Sequence, residues 1–220
     1  RGGRVLLLAG MGGAWGARAG VACAAAAASG GDPSLAKLSA GGGFPAGLAM
    51  VIVAGSELFT GNNLMIMGVL SRVISVRQML RNWCVVYLGN FVGAALVAAL
   101  CVLGHVLSAF DGRLAQSVVT IAQAKASLSF GDAFFRGILC NFLVCIAVWM
   151  ASAARSVPGK IIAVFFPIMT FVVAGFEHSV AKMYYLMAGL QRADQHRAAG
   201  GGRTRGRGEG GKSSSGTLRY

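Results

Sequence analysis

Five long apolar stretches separated by short polar segments organise most of the chain, over residues 5–29, 44–70, 83–110, 133–154 and 161–187. Each is long enough for a helix to cross a bilayer, which takes about 20 apolar residues. The pattern predicts an all-α membrane protein, with one transmembrane domain over residues 1–190. The first stretch is the weakest, rich in Ala and Gly with Arg18 inside it. Such small residues suit close packing against other helices better than contact with lipid. Asp32-Pro33 then marks a connection.

Two of the stretches are interrupted. The second, Phe44 to Leu70, is longer than a simple crossing needs and carries one charge, Glu57, flanked by Gly55, Gly61 and Asn62-Asn63. A Gly/Asn cluster is where a helix unwinds. The fifth breaks at Gly175-Phe176-Glu177-His178-Ser179. Both begin with Phe-Pro, at Phe44-Pro45 and Phe166-Pro167, and both break two to three turns later at Gly-x-Glu. With three crossings per repeat, these segments are the middle members of an inverted pair. Irregular backbone at membrane depth persists only where it is buried in protein or lines a cavity, and paired broken helices form substrate sites near the midplane. The breaks therefore predict a channel or transporter. The repeat also demands a sixth span. Residues after 190 hold no apolar stretch for it, so about five of six spans are expected here.

Charge orients the spans. Arg72, Arg77 and Arg81 fall between stretches two and three, and Arg155 and Lys160 between four and five, which puts both connections on the cytoplasmic side. A longer linker, residues 111–132, holds Arg113 and Lys125. The composition, 55% hydrophobic and 12% charged, excludes a water-soluble domain. The net charge of +13 suggests a nucleic-acid partner until it is located: seven of the 20 basic residues lie after Gly189. That Gly/Arg-rich tail, residues 191–220, reads as disordered and solvated. An RNA- or anionic-lipid-binding tail on a nonconducting membrane scaffold is the alternative, and no nucleic-acid partner is assigned to the membrane body. The five cysteines sit in apolar stretches and read as small hydrophobes. No metal-ligand spacing, nucleophile–base pair or phosphate loop is present, so neither a cofactor nor an enzyme is expected. The membrane is left open between plasma membrane and organelle envelope.

Four stretches carry a family resemblance: Phe44-Pro45-x-Gly47-Leu48 leading to Glu57-Leu58-Phe59-Thr60-Gly61-Asn62-Asn63; Asn82-Trp83 to Tyr87-Leu88-Gly89-Asn90-Phe91-Val92-Gly93; Gly137-Ile138-Leu139-Cys140-Asn141 on to Trp149-Met150; and Gly175-Phe176-Glu177-His178-Ser179-Val180-Ala181. In order and spacing the chain resembles the formate/nitrite transporter family over roughly residues 35 to 190, as a member lacking the last helix. The resemblance implies an aquaporin-like fold, six-helix protomers and a homopentamer with one pore per protomer. Formate, nitrite or related small anions are the implied substrates, sometimes with a proton. It also implies residue roles. Phe44, Leu48 and Phe171 correspond to one apolar constriction, and Leu58, Phe59 and Val144 to the other. Thr60, Asn141 and His178 are the polar groups between them, and Lys125 the cation near the pore centre. Lys182, where the family commonly has Asn, is a departure.

An anion crossing hydrocarbon meets a large desolvation cost unless its charge is compensated or removed. Lys125 and half-helix N-termini would compensate it. Alternatively His178 would lend a proton, so that the substrate passes the apolar rings as a neutral acid. Glu57 and Glu177 would repel an anion and are expected instead to support the helix breaks. Bicarbonate, hydrosulfide or lactate are alternative substrates on the same architecture. His105 and His196 read as structural or solvent-exposed.

Overall fold

The computed structural model describes residues 2–29 and 31–191, and among them every regular element is helical. The first stretch forms α1, Gly2–Ala28. Asp32 then caps α2, Pro33–Gly43, by accepting from the Ser34 and Leu35 amides at 2.8 and 3.3 Å. Those two donors hold its carboxyl below the ordinary carboxylate range. After Phe44, Pro45 opens α3, Pro45–Val53. The second crossing thus begins some ten residues before the apolar pattern does. The run Gly41-Gly42-Gly43 closes α2, and Gly41 lies against Val173 and Met169, where a side chain would have little room.

The second half of this crossing is α4, Phe59–Asn62, and α5, Met65–Leu70. Next comes α6, Val76–Leu103, rather than 83–110. Its start is fixed by a capping box: Ser75 Oγ accepts from the Gln78 amide at 3.2 Å while Gln78 Oε1 accepts from the Ser75 amide at 2.8 Å. Arg77 and Arg81 therefore lie on its first turns, not in a connection. It ends at Gly104, where His105 turns left-handed at φ 53°. A 3₁₀ turn at Val106–Ser108 occupies the end of the expected third stretch, and the expected linker contains a 14-residue helix, α7, Arg113–Ala126. Then follow α8, Phe130–Ala153, and α9, Val157–Ala174, with Pro167 inside it. After a break, residues 179–191 form α10. Among the described residues, five helical stretches are long and apolar enough to cross a membrane, Gly3–Ala28, Pro33–Val53, Val76–Leu103, Phe130–Ala153 and Val157–Ala174. The chain is an integral, multi-pass membrane protein. The sixth span and the 191–220 tail concern residues that, save Gln191, lie outside the described ones.

The most extensive helix contact is α1 against α6. It is made by glycines. A methyl group on Gly13 would fall inside the Asn90 carbonyl, and one on Gly93 inside that of Gly10. Backbones that approach this closely gain dispersion contacts where lipid offers no hydrophobic drive for association. The crossing brings Asn90, fully buried on α6, to the level of the first helix break.

A candidate pore through the two helix breaks

Both breaks have the same construction. In the second crossing, Gly55 sits at φ 67° and the Ser56 amide donates back to the Val51 carbonyl at 2.9 Å. In the fifth, Gly175 sits at φ 76° and the Phe176 amide donates to Phe171 O at 3.0 Å. Each is a glycine-terminated helix end with a six-to-one bond, in a backbone conformation that L side chains adopt only with strain. The two Phe-Pro pairs are out of register with this match: Pro45 separates α2 from α3, whereas Pro167 lies inside an unbroken α9.

The first break is strapped to its neighbours. Asn90 Nδ2 donates to Ala9 O at 2.7 Å and to Glu57 O at 2.9 Å, and its Oδ1 accepts from the Phe59 amide at 2.9 Å. The Glu57 amide donates to Leu8 O at 3.1 Å. The Glu57 carboxylate accepts from Asn62 Nδ2, which also donates to Asn82 Oδ1 at 2.9 Å. Glu57 thus faces its own half-helix. Asn90 escapes a reading centred on the breaks, although a lone carboxamide inside an apolar span, within Gly89-Asn90-Phe91, is a signal that could have found it.

At the second break His178 is buried, its Nδ1 accepting from the Ala181 amide at 3.3 Å and its Nε2 lying 3.1 Å from Thr60 Oγ1. A backbone amide can only donate, so this network assigns the neutral tautomer with the proton on Nε2, directed at Thr60. The ring stacks on Phe171 at 5.8 Å and meets Phe44 edge-on at 6.0 Å. Phe44, Leu48, Phe171, Leu58, Val144 and His178 line one narrow neck, a cavity of about 10 Å³. That is room for one water at most. Members of both expected constrictions meet there around the imidazole.

On one side the neck opens into a vestibule of about 770 Å³ whose lining includes Phe44, Phe171, His178, Lys125 and Glu177. The turn after α1 also borders it, so it lies at the end of the bundle away from Arg72. Lys125, in the last turn of α7, donates to Glu177 Oε2 at 2.7 Å and lies 5.8 Å from the Tyr185 ring centroid. Thr60, Phe59 and Asn141 face a different cavity of about 580 Å³, also bordered by Glu177 and Ser179. Asn141 reaches only Cys145 Sγ, at 3.5 Å, and Phe59 leans on Trp83 and Tyr87. Three of the twelve residues singled out by sequence therefore stand to one side of the neck, with Thr60 connected to it through His178. Lys37 on α2 and Cys23 on α1 border the vestibule and were not anticipated.

The ion pair has a testable energy. The Lys125 and Glu177 side chains are 17% and 12% exposed, so removing one partner strands the other's charge in a largely dry place. Lys125→Met is expected to destabilise the fold by about 2–3 kcal/mol, somewhat less than the loss for a fully buried pair. Lys125→Met combined with Glu177→Gln should recover most of that loss. Thermal unfolding in detergent reads both, and a double variant no better than the single one would show that the pair does not act as a unit.

Comparison with known proteins places this geometry. The family profile described as formate/nitrite transporter matches residues 2–201. The formate channel FocA of Haemophilus influenzae is 42% identical over 164 residues, covering 74% of this chain and 58% of that protein. A probable formate transporter of Methanothermobacter thermautotrophicus is 38% identical over 208 residues, covering 86% of this chain and 75% of that one. Among solved structures, a pentameric formate channel with formate bound superposes with a TM-score of 0.76 at 32% identity, over 85% of this chain and 74% of that one. The chain spans 58–59% of the length of FocA and of a Bacillus subtilis transporter that it also matches.

Proposed function

Because the chain belongs to the formate/nitrite transporter family, we propose that it passes small monovalent anions of weak acids, formate and nitrite foremost, through a pore inside each protomer. The observation that carries this reading is the neck: an almost closed apolar ring whose polar interior groups are His178 and, behind it, Thr60. An anion must shed its water to enter so small a space, and the apolar walls return nothing for the lost hydration. His178 offers one compensating group, its Nε2–H, which can turn from Thr60 to the substrate oxygen. Nδ1 is already committed to the Ala181 amide, so the ring acts as a donor rather than as a store of charge. A weak-acid anion can in addition take up a proton from vestibule water and cross the ring neutral. Chloride, the conjugate base of a strong acid, has no such route.

The family fold supports a homopentamer, as in the formate channel that this chain resembles, and the outer face of α6 suits that packing or lipid. Leu88, Val92, Leu96 and Leu100 all lie exposed along it. The neck favours formate and nitrite over larger acids such as lactate. Proteoliposomes containing the chain should take up labelled formate and nitrite well above empty liposomes, with chloride near background. Chloride entering at a rate comparable to formate would refute the weak-acid reading.

A further inference from the structure

We propose that Lys37, not Lys125, is the cation that draws anions into the vestibule. Two lysines border this 770 Å³ space, together with one carboxylate, Glu177, and the neutral imidazole of His178. Lys125 is held against Glu177 at 2.7 Å, so its charge is cancelled locally and the pair presents a dipole rather than a net field. Lys37 has no carboxylate within ion-pair distance among the described residues. Asp32, the acid nearest to it in sequence, is turned into the first turn of α2, where it caps the Ser34 and Leu35 amides. The net charge of the lining is therefore the single charge of Lys37.

Its position suits the role. Lys37 is exposed on α2, and its Nζ lies 3.9 Å from where a side chain on Gly175 would begin. This places the ammonium at the carboxyl end of α9, beside the break that carries His178. The end of a helix carries about half a negative charge, which a full ammonium outweighs. A concave apolar wall focuses the remaining field into the cavity, raising the local concentration of anions ahead of the neck. The ligand class is a small monovalent anion, held loosely and still hydrated.

The recruitment of a transported anion rests on the proposed function, but the field itself does not, and the test separates them. An A27C substitution, at an exposed position on the vestibule wall, supplies a thiol. Its rates of reaction with an anionic and a cationic methanethiosulfonate reagent are compared, site by site, by mass spectrometry. In this background Lys37→Gln should lower the anionic-to-cationic rate ratio about tenfold at low ionic strength, since each reagent shifts about three- to fourfold in opposite directions. Lys37→Arg should keep the ratio, and 0.5 M salt, by compressing the screening length to a few ångströms, should erase the difference. Lys125→Gln with Glu177→Gln removes a cation and an anion together and should leave the ratio near its starting value. A ratio unmoved by Lys37→Gln, or one that falls as far in the Lys125/Glu177 double variant, overturns the assignment. In the uptake assay, Lys37→Gln should raise the half-saturating formate concentration about threefold at low ionic strength. A chain that conducts nothing while the thiol ratio still falls would defeat the transport reading and leave the field of Lys37 standing.

Discussion

Gly93→Leu is expected to remove folded protein altogether, and even Gly93→Ala should cost most of it. The α1–α6 crossing has no slack, because a methyl group on Gly93 would overlap the Gly10 carbonyl, a backbone atom that no rotamer change can move aside. Forcing one extra methylene into a packed core costs roughly 1–3 kcal/mol where side chains can adjust. Here two helix backbones must separate. Separation breaks more than packing, since the Asn90 carboxamide would be pulled from the Ala9 carbonyl and from the Glu57 and Phe59 backbone that it holds. A loss of about 4 kcal/mol or more follows, a large share of the roughly 5–15 kcal/mol by which ordinary domains are stable. The check is the monodisperse fraction on size-exclusion chromatography in mild detergent, together with the unfolding midpoint. Gly42→Ala, at a helical glycine with nothing within 4 Å of the added carbon, is the matched control and should behave as the parent chain. Normal yield and midpoint for Gly93→Ala would mean that the crossing is looser than its geometry.

How much of this was legible beforehand follows from where the information resides. The breaks were readable because their cause is local: a glycine near φ 70° ends a helix whatever surrounds it, and Gly55 and Gly175 announce themselves beside a glutamate. The apolar run puts the start of the second crossing at Phe44, although Asp32-Pro33, read as a connection, is the cap and first residue of α2. The start of α6 was legible in principle through Ser75 and Gln78, but hydropathy outweighed the capping box and shifted the span by seven residues. For the site, the family resemblance brought Phe44, Leu48, Phe171, Leu58, Val144 and His178 to attention, and the fold gathers them in one neck. What sequence could not supply was the pairing of charges. Lys125 and Glu177 lie 52 positions apart, and only the meeting of α7 with the second break turns a free cation into half of an ion pair.

That pairing leaves the imidazole as the main donor at the narrowest point, so His178→Phe is expected to lower formate uptake by about 10- to 100-fold. The substitution keeps an aromatic ring that can stack on Phe171, although the six-membered ring is somewhat bulkier than the imidazole. It removes two hydrogen bonds. Loss of the Nδ1 acceptor uncaps the first turn of α10, which costs about 1 kcal/mol of stability and is read by the unfolding midpoint. Loss of the Nε2–H acts on the passing ion, because a hydrogen bond to a charged group contributes about 1.5–3 kcal/mol, the range that sets the expected loss of flux. Thr60→Val separates the two effects. It deletes the resting partner of Nε2 while leaving the donor free, and so should change flux by about tenfold at most, and less than His178→Phe does, if a hydrogen bond between neutral groups is all that is lost. Initial rates in proteoliposomes, matched for incorporated protein, decide the point. Undiminished uptake by His178→Phe would show that the apolar ring alone passes the substrate, as it would if formic acid were already neutral on reaching the neck. A collapse of both variants to background would instead place the essential polar group at Thr60.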